Sequence, residues 1–416
     1  MKALQITNSI PRYVLTKALG RIYRPAFWGP LALLVYRDVP EPALPGPQWV
    51  RVRTRLGGIC GSDLHTILLQ DSPALSALTS FPFTLGHENV GIVEQTGPGV
   101  DKFHRGDRVI ALGLLPCAAR GVSDPCQHCR RGEYSLCQSF ASGSLAPGLG
   151  IGYCRDTGGS WSPCFVAHES QLYAVPEGVS DENAVMVDAF SSALHAAAQN
   201  LPGDGETALV IGAGTIGLCL IAALRLLGTR ARIIVLARYP FQATLAMRYG
   251  ADEVLSAGRG DPAKSVAAAT GGRLLKPMLG SPVLIGGGAD VVFECAGSAG
   301  SLSDALRLAK GGGRVVLVGL ASIVSGVDWT PIWLKELTLK GCFWCSIDTV
   351  GGRPLDPFQQ TLSWMADGRL DLSSLVTHRF RLEDYRRALA ITLARGRNRV
   401  VKSVFVFGED GGMSRG

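Results

Sequence analysis

The clearest pattern of apolar and polar positions lies in the second half of the chain. Residues 207–211 form a short apolar, β-branched run, a glycine-rich break follows, and apolar residues then recur at helical spacing over 218–227 before a second strand-like run at 232–236. Further strands are predicted at 289–295 and 313–318, each ending in glycine-rich turns, and the three glycines 311–313 mark a turn before the last of them. Strands alternating with helices predict an open parallel sheet whose ligand lies at the carboxyl ends of the strands. The longest apolar run, 208–224, is broken by three glycines and reads as strand, turn and helix in place of a membrane span. Outside this half, strand-like runs open the chain at Met1-Lys2-Ala3 and close it at 400–407, and 408–416 reads as a disordered end.

A length of 416 residues suits two domains, each with its own core. Hydrophobic content of 47% with 52 glycines fits a globular α/β protein and excludes a disordered one. The formal charge of +7 comes from scattered Lys and Arg, which implies mild attraction for anionic cofactors and no nucleic-acid partner. No secretory leader pattern opens the chain. Of eleven cysteines, Cys154, Cys164, Cys219, Cys295, Cys342 and Cys345 sit mostly in apolar contexts typical of free thiols, which suits a reducing cytoplasm.

Three constellations carry chemistry. The segment Gly58-Ile-Cys60-Gly-Ser62-Asp-Leu-His65, followed by Gly86-His87-Glu88-Asn-Val-Gly91, spaces a thiolate, an imidazole and a carboxylate as catalytic zinc needs, with one coordination position left for substrate. A lone Cys or His is more often a core residue, but Gly86 and Gly91 allow the close backbone approach that a site requires. Cys126-x2-Cys129-x7-Cys137, preceded by Cys117, offers four thiolates for a closed, structural zinc site; a degenerate, metal-free lobe is the rival reading, and His128 is the nearest substitute for Cys117. Gly212-Ala-Gly214-Thr215-Ile216-Gly217, set between strand and helix, is a dinucleotide fingerprint: its glycines permit the tight turn and backbone contact with pyrophosphate at the helix N-terminus. About twenty residues on, where NAD enzymes carry an acid, the chain has Ala237 and then Arg238. Arg238 could hold a 2′-phosphate bidentately, which favours NADP; the alternative is a solvated Arg238 with NAD bound without the acidic contact.

These motifs resemble the zinc-containing alcohol dehydrogenase family of the medium-chain dehydrogenases and reductases, whose zinc signature is met by Gly86, His87, Glu88, Gly91, Gly97 and Val100 over a resemblance spanning nearly the whole chain. The resemblance implies an α/β fold of two parts: a GroES-like, mainly-β catalytic domain over 1–189 and 346–416, and a Rossmann doubly wound parallel-sheet coenzyme domain over 190–345, with the active site in the cleft between them. It places the third zinc ligand at Asp188, the one candidate acid in the apolar stretch 184–195 and otherwise costly to bury, though a helix-start carboxylate remains open. Glu88 would lie behind the metal as a supporting neighbour or fourth ligand. Ser62 and His65 would relay the alcohol proton to solvent through the cofactor ribose, unless His65 only packs; His195 reads as a packing residue. The family's usual first cysteine of the lobe falls at Ser123, which leaves Cys117 the substitute across an insertion.

The chemistry so implied is hydride transfer between an alcohol and its ketone or aldehyde and NAD(P), in a cytoplasmic homo-dimer or homo-tetramer acting on a small molecule without a membrane span. A threonine-dehydrogenase-like amino-alcohol or polyol dehydrogenase is the nearest alternative, and a non-catalytic binding protein on the same fold the distant one. Two stretches depart from shorter relatives. Residues 9–34 mix Arg12, Lys17, Arg21 and Arg24 with Tyr13, Tyr23, Phe27 and Trp28, and read as a cover packed on the domain, with membrane-surface or partner binding as the rival. Residues 273–288 would form a lid or subunit contact, and the loop 70–82 would shape the substrate pocket.

Overall fold

The computed structural model describes residues 1–258 and 260–408, so the expected disordered end lies, from residue 409 on, outside the described residues. The chain divides into two compact units, Met1–Asp188 with the stretch from Phe358 onward, and Ala189–Pro357.

The first unit is mainly β. Its spine is the strand Trp49–Gly58, which pairs antiparallel with Asn89–Thr96, Cys164–His168 and Lys402–Val406. Arg108–Ala111 and Leu172–Ala174 extend one edge of this sheet, and Val376–Phe380, parallel to Lys402–Val406, closes the other. The tail of the chain thus lies against its first third, because Val404 and Phe405 are fully buried on the sheet. A smaller sheet joins Leu34–Asp38, Lys2–Ile6 and Phe83–Thr84.

Residues 9–34 connect the first two strands of the smaller sheet and do pack on the domain. Phe27, Trp28, Ala32, Leu33 and Leu34 enter a core shared with Leu4, Ile6, Trp161 and Phe405. The helix Ile10–Gly20, capped by Ser9, rides on Phe27 where Gly20 has no side chain: a Cβ there would sit 2.3 Å from the ring. The loop 70–82 holds a short 3₁₀ turn, Pro73–Leu78.

The second unit carries a six-stranded, wholly parallel sheet in the order Glu253–Ser256, Arg232–Ala237, Thr207–Ile211, Ala289–Glu294, Ala309–Leu317, Thr338–Gly341. The order reverses direction beside Thr207–Ile211, the switch point at which open α/β sheets bind ligands. The helix after the first strand runs Thr215–Leu226, three residues earlier than the apolar spacing suggests, because Gly214 supplies its N-cap and the last residues of the glycine motif form its first turn. One expectation fails: glycines 311–313 are not a turn before a strand but lie inside Ala309–Leu317, where the register jumps from Ala289 opposite Ala309 to Val291 opposite Arg314. Gly312, at φ +72°, lets the extra residues bulge out without breaking the strand. Residues 273–288 form a hairpin of Arg273–Leu275 and Val283–Ile285 with Met278 and Leu279 exposed at its tip.

Candidate active site

The strand Trp49–Gly58 delivers the chain to Cys60, which caps the helix Gly61–Ile67. Three residues on, buried Asp63 accepts a hydrogen bond from the Cys60 amide at 2.9 Å, the back-bond of a capping box. Its other oxygen lies 3.5 Å from His87 Nδ1, and Ser62 Oγ stands 3.5 Å from His87 Nε2. A carboxylate on one ring nitrogen fixes the tautomer and leaves the other as lone-pair donor. Burial opposes charge on His87, yet Asp63 and the Cys60 thiol beside it raise its pKa well above the ordinary imidazole value. A thiol and an imidazole brought together, the imidazole backed by a buried carboxylate, are donors that fit a divalent cation such as zinc.

The backbone around His87 leaves no spare volume. A Cβ on Gly86, itself at φ +97°, would lie 2.4 Å from the Trp161 ring, and one on Gly91 would lie 2.3 Å from the Arg53 carbonyl. Asn89 holds the His87 carbonyl at 2.7 Å. Glu88 turns away beneath Gly58: both its oxygens accept from Lys402 Nζ, at 2.5 and 2.7 Å, and both side chains are buried.

His65, on the same short helix as Ser62, has its Nδ1 buried with no hydrogen-bond partner among the described residues. Burial pushes its pKa below 6.5, with Asp71 opposing.

In the cysteine lobe, one ligand atom from each of Cys117, Cys126, Cys129 and Cys137 lies within 4.8 Å of all the others. All four are free thiols, and the Cys117 and Cys137 sulfurs stand 3.7 Å apart. The amides of Cys126, Cys129 and Ser139 point at sulfurs of Cys117, Cys126 and Cys137 at 3.4, 3.5 and 3.3 Å. Burial pushes the Cys126 thiol up, but the amides of Gln138 and Cys129, together with hydrogen bonds to the Cys129 and Cys117 side chains, outweigh it and bring the thiol down to about 6. His128, the possible substitute, is taken by Glu133 at 2.6 Å, and Ser123 is exposed. The donor set fits a tetrahedral zinc.

In the second unit, Gly212 stands at φ +98°, and a Cβ on Gly217 would lie 1.9 Å from the Gly212 carbonyl, so the turn admits only glycine there. Arg238 is exposed at the end of Arg232–Ala237 with its guanidinium over the Tyr239 ring at 5.7 Å.

Two family models match: an alcohol dehydrogenase GroES-like domain over residues 46–177 and a zinc-binding dehydrogenase domain over 215–366. An L-threonine 3-dehydrogenase of Rhizobium etli (strain CIAT 652) is 30% identical over 351 residues, which cover 84% of this chain and 89% of the relative. The chain belongs to the zinc-containing alcohol dehydrogenase family. Among solved structures, 2R,3R-butanediol dehydrogenase from Bacillus subtilis superposes with a TM-score of 0.69 at 25% identity, over 98% of this chain and 99% of that one. Alcohol dehydrogenase TADH from Thermus sp. ATN1 gives 0.68 at 26%, with the same two coverages. The protein is therefore a zinc-dependent, NAD(P)-linked oxidoreductase acting on small molecules. No helix among the described residues is long and apolar enough to cross a membrane.

Within this enzyme the remaining candidates fall as follows. Asp188 is buried in the first turn of the helix Val187–Gln199. His195, read as a packing residue, is buried in the second unit with Nδ1 2.9 Å from both Asp348 oxygens, and Gln199 also donates to Asp348 at 2.9 Å. Three residues escaped the sequence reading. Asp63 was legible as an acid three residues after a helix cap. Lys402 was legible only as a charge stranded in an apolar run. Glu294, fully buried at a strand end, accepts from the amides of Ala296 and Gly297 at 2.8 Å each and so shapes the turn beside Gly212.

Proposed function

We propose that Cys60, His87 and Asp188 hold the catalytic zinc and that the enzyme interconverts a secondary alcohol and its carbonyl compound, with NADP favoured over NAD. The single observation that carries the reading is the convergence of Cys60 and Ser62 on a His87 whose far nitrogen is backed by Asp63. Zinc held by these residues would supply Lewis-acid polarisation of a substrate oxygen, and a dinucleotide held at the glycine turn would supply the hydride chemistry. The chain's own residues do the rest. Asp63 fixes the His87 ring. Glu88, with both oxygens taken up by Lys402, supports the wall behind His87, which favours the neighbour reading over the fourth-ligand one. Ser62 is placed to accept the substrate proton, and His65, neutral at pH 7 because burial lowers its pKa, is a base able to take it onward.

The four thiolates of Cys117, Cys126, Cys129 and Cys137 hold the structural zinc. Gly212, Gly214, Thr215, Ile216 and Gly217 cradle the pyrophosphate, and Arg238, exposed where an acid would bar a 2′-phosphate, supports NADP. Exposed Trp329, Trp333 and Leu334, close in sequence to the edge strand Thr338–Gly341, support a homo-dimer or homo-tetramer, and the free thiols support a cytoplasmic site. The threonine-dehydrogenase relative favours an amino-alcohol substrate as the second reading.

The test pairs zinc analysis with a screen of secondary alcohols, vicinal diols and L-threonine against both cofactors. Asp188→Ala should lose one zinc and turnover while still quenching or enhancing NADPH fluorescence. Full zinc and normal turnover in that variant would refute the ligand assignment.

A further inference from the structure

The helix Ile10–Gly20 is built inside out. At about 100° per residue, Tyr13, Thr16 and Gly20 share one side. That side faces the protein: Thr16 is buried with its hydroxyl on the Leu31 carbonyl at 2.9 Å, and Gly20 lies against the Phe27 ring. Val14 and Leu15 fall on the opposite side, Ile10 and Leu19 stand half a turn apart at its two flanks, and Ile22 follows just past the helix end. All five are exposed, with Ile10 at 81%, Val14 at 61% and Ile22 at 92%. An ordinary surface helix buries its apolar stripe and wets its polar one.

Charge borders the apolar stripe. Arg12 falls beside Leu19 on one flank, Lys17 and Arg21 fall either side of Ile10 on the other, and Arg24 follows; no acidic residue precedes Asp38 in the chain. Arg12 bonds the Pro30 carbonyl at 3.3 Å and Lys17 the Tyr13 hydroxyl at 2.9 Å, so neither charge is neutralised by these contacts.

We propose that this helix seats the enzyme on the surface of an anionic lipid bilayer, with Val14, Leu15 and Ile22 at the acyl boundary, Ile10 and Leu19 at its flanks, and Arg12, Lys17 and Arg21 among the headgroups. An apolar face with cations on both margins is the pattern of helices that lie in the interfacial plane. A second copy docked by the same face would bring four cations of each chain together, which opposes self-association. With no helix among the described residues able to span, the attachment is peripheral.

Flotation of the full-length, zinc-loaded protein with vesicles of phosphatidylcholine, alone or with added phosphatidylserine, tests the idea. The wild type should float with the phosphatidylserine vesicles at low salt, not with phosphatidylcholine alone, and should be released by high salt. Val14→Ser/Leu19→Ser/Ile22→Ser and, separately, Lys17→Glu/Arg21→Glu should each cut partitioning by roughly tenfold or more. Specific activity should stay unchanged in both, and melting temperature unchanged in the serine variant, whose three side chains are exposed; the charge variant gives up the Lys17–Tyr13 bond and should melt slightly lower while staying folded. No flotation of the wild type, or equal flotation of both variants, overturns the proposal. So does a wild type that ignores vesicles while the serine variant loses oligomeric mass in sedimentation, which would assign the face to a second copy.

Discussion

Lys402 and Glu88, separated by 314 positions in sequence, form a buried ion pair in which Nζ reaches both carboxylate oxygens, at 2.5 and 2.7 Å. The pair ties the C-terminal strand Lys402–Val406 to the residue that follows His87. Gly58 seals it, since a Cβ there would lie 2.0 Å from Glu88 Oε2.

Removing one partner strands the other charge in the core. Lys402→Met should therefore cost about 3–5 kcal/mol in denaturant unfolding. The double variant Lys402→Met/Glu88→Gln should recover most of that loss, because two neutral side chains leave no uncompensated charge. A double variant as unstable as the single one would deny the pairing its energetic role.

The cysteine lobe predicts a zinc count. Wild-type protein should carry two zinc ions per chain, Cys117→Ser one, and His128→Ala two, because His128 serves Glu133 and not the thiolates. Cys117→Ser should also unfold at lower temperature, since metal binding to such a site is folding free energy. Retention of both ions by Cys117→Ser would return the lobe to another ligand.

Cofactor choice rests on Arg238. Arg238→Ala should weaken NADPH by about 1.5–3 kcal/mol, roughly ten- to a hundredfold in Kd, and leave NADH nearly unchanged. Titration of intrinsic fluorescence with both cofactors reads the difference, and equal losses would make Arg238 a solvated loop residue.

His65 sets a pH dependence. Its pKa is lowered by burial, so the neutral form that accepts a proton persists below pH 6.5, and alcohol oxidation in the wild type should fall off only below that value. The same depression makes the folded state bind fewer protons than the unfolded one, so stability should decline as pH drops below 6.5. His65→Gln should slow oxidation roughly 10²–10⁴-fold at neutral pH, with partial recovery at higher pH as hydroxide takes the proton. An unchanged pH–rate profile would leave His65 a packing residue.

Local chemistry in this protein was legible in the sequence because it is written at short range. The glycine turn at Gly212–Gly217, the Cys60 and His87 signatures and the cysteine spacings each specify backbone geometry or ligand type within a few residues, and the alternation of strand and helix runs specified the parallel sheet. Even Asp63 was available from capping-box spacing. Tertiary structure alone decided what depends on residues distant in the chain: that Lys402 neutralises Glu88, that Cys117 completes the four-thiolate cluster across its insertion, and that glycines 311–313 bulge within a strand instead of ending a turn. It also decided which side of the helix Ile10–Gly20 turns outward, because the periodicity is the same whichever face the core accepts, and here Phe27 accepts Gly20 and leaves the apolar stripe in water.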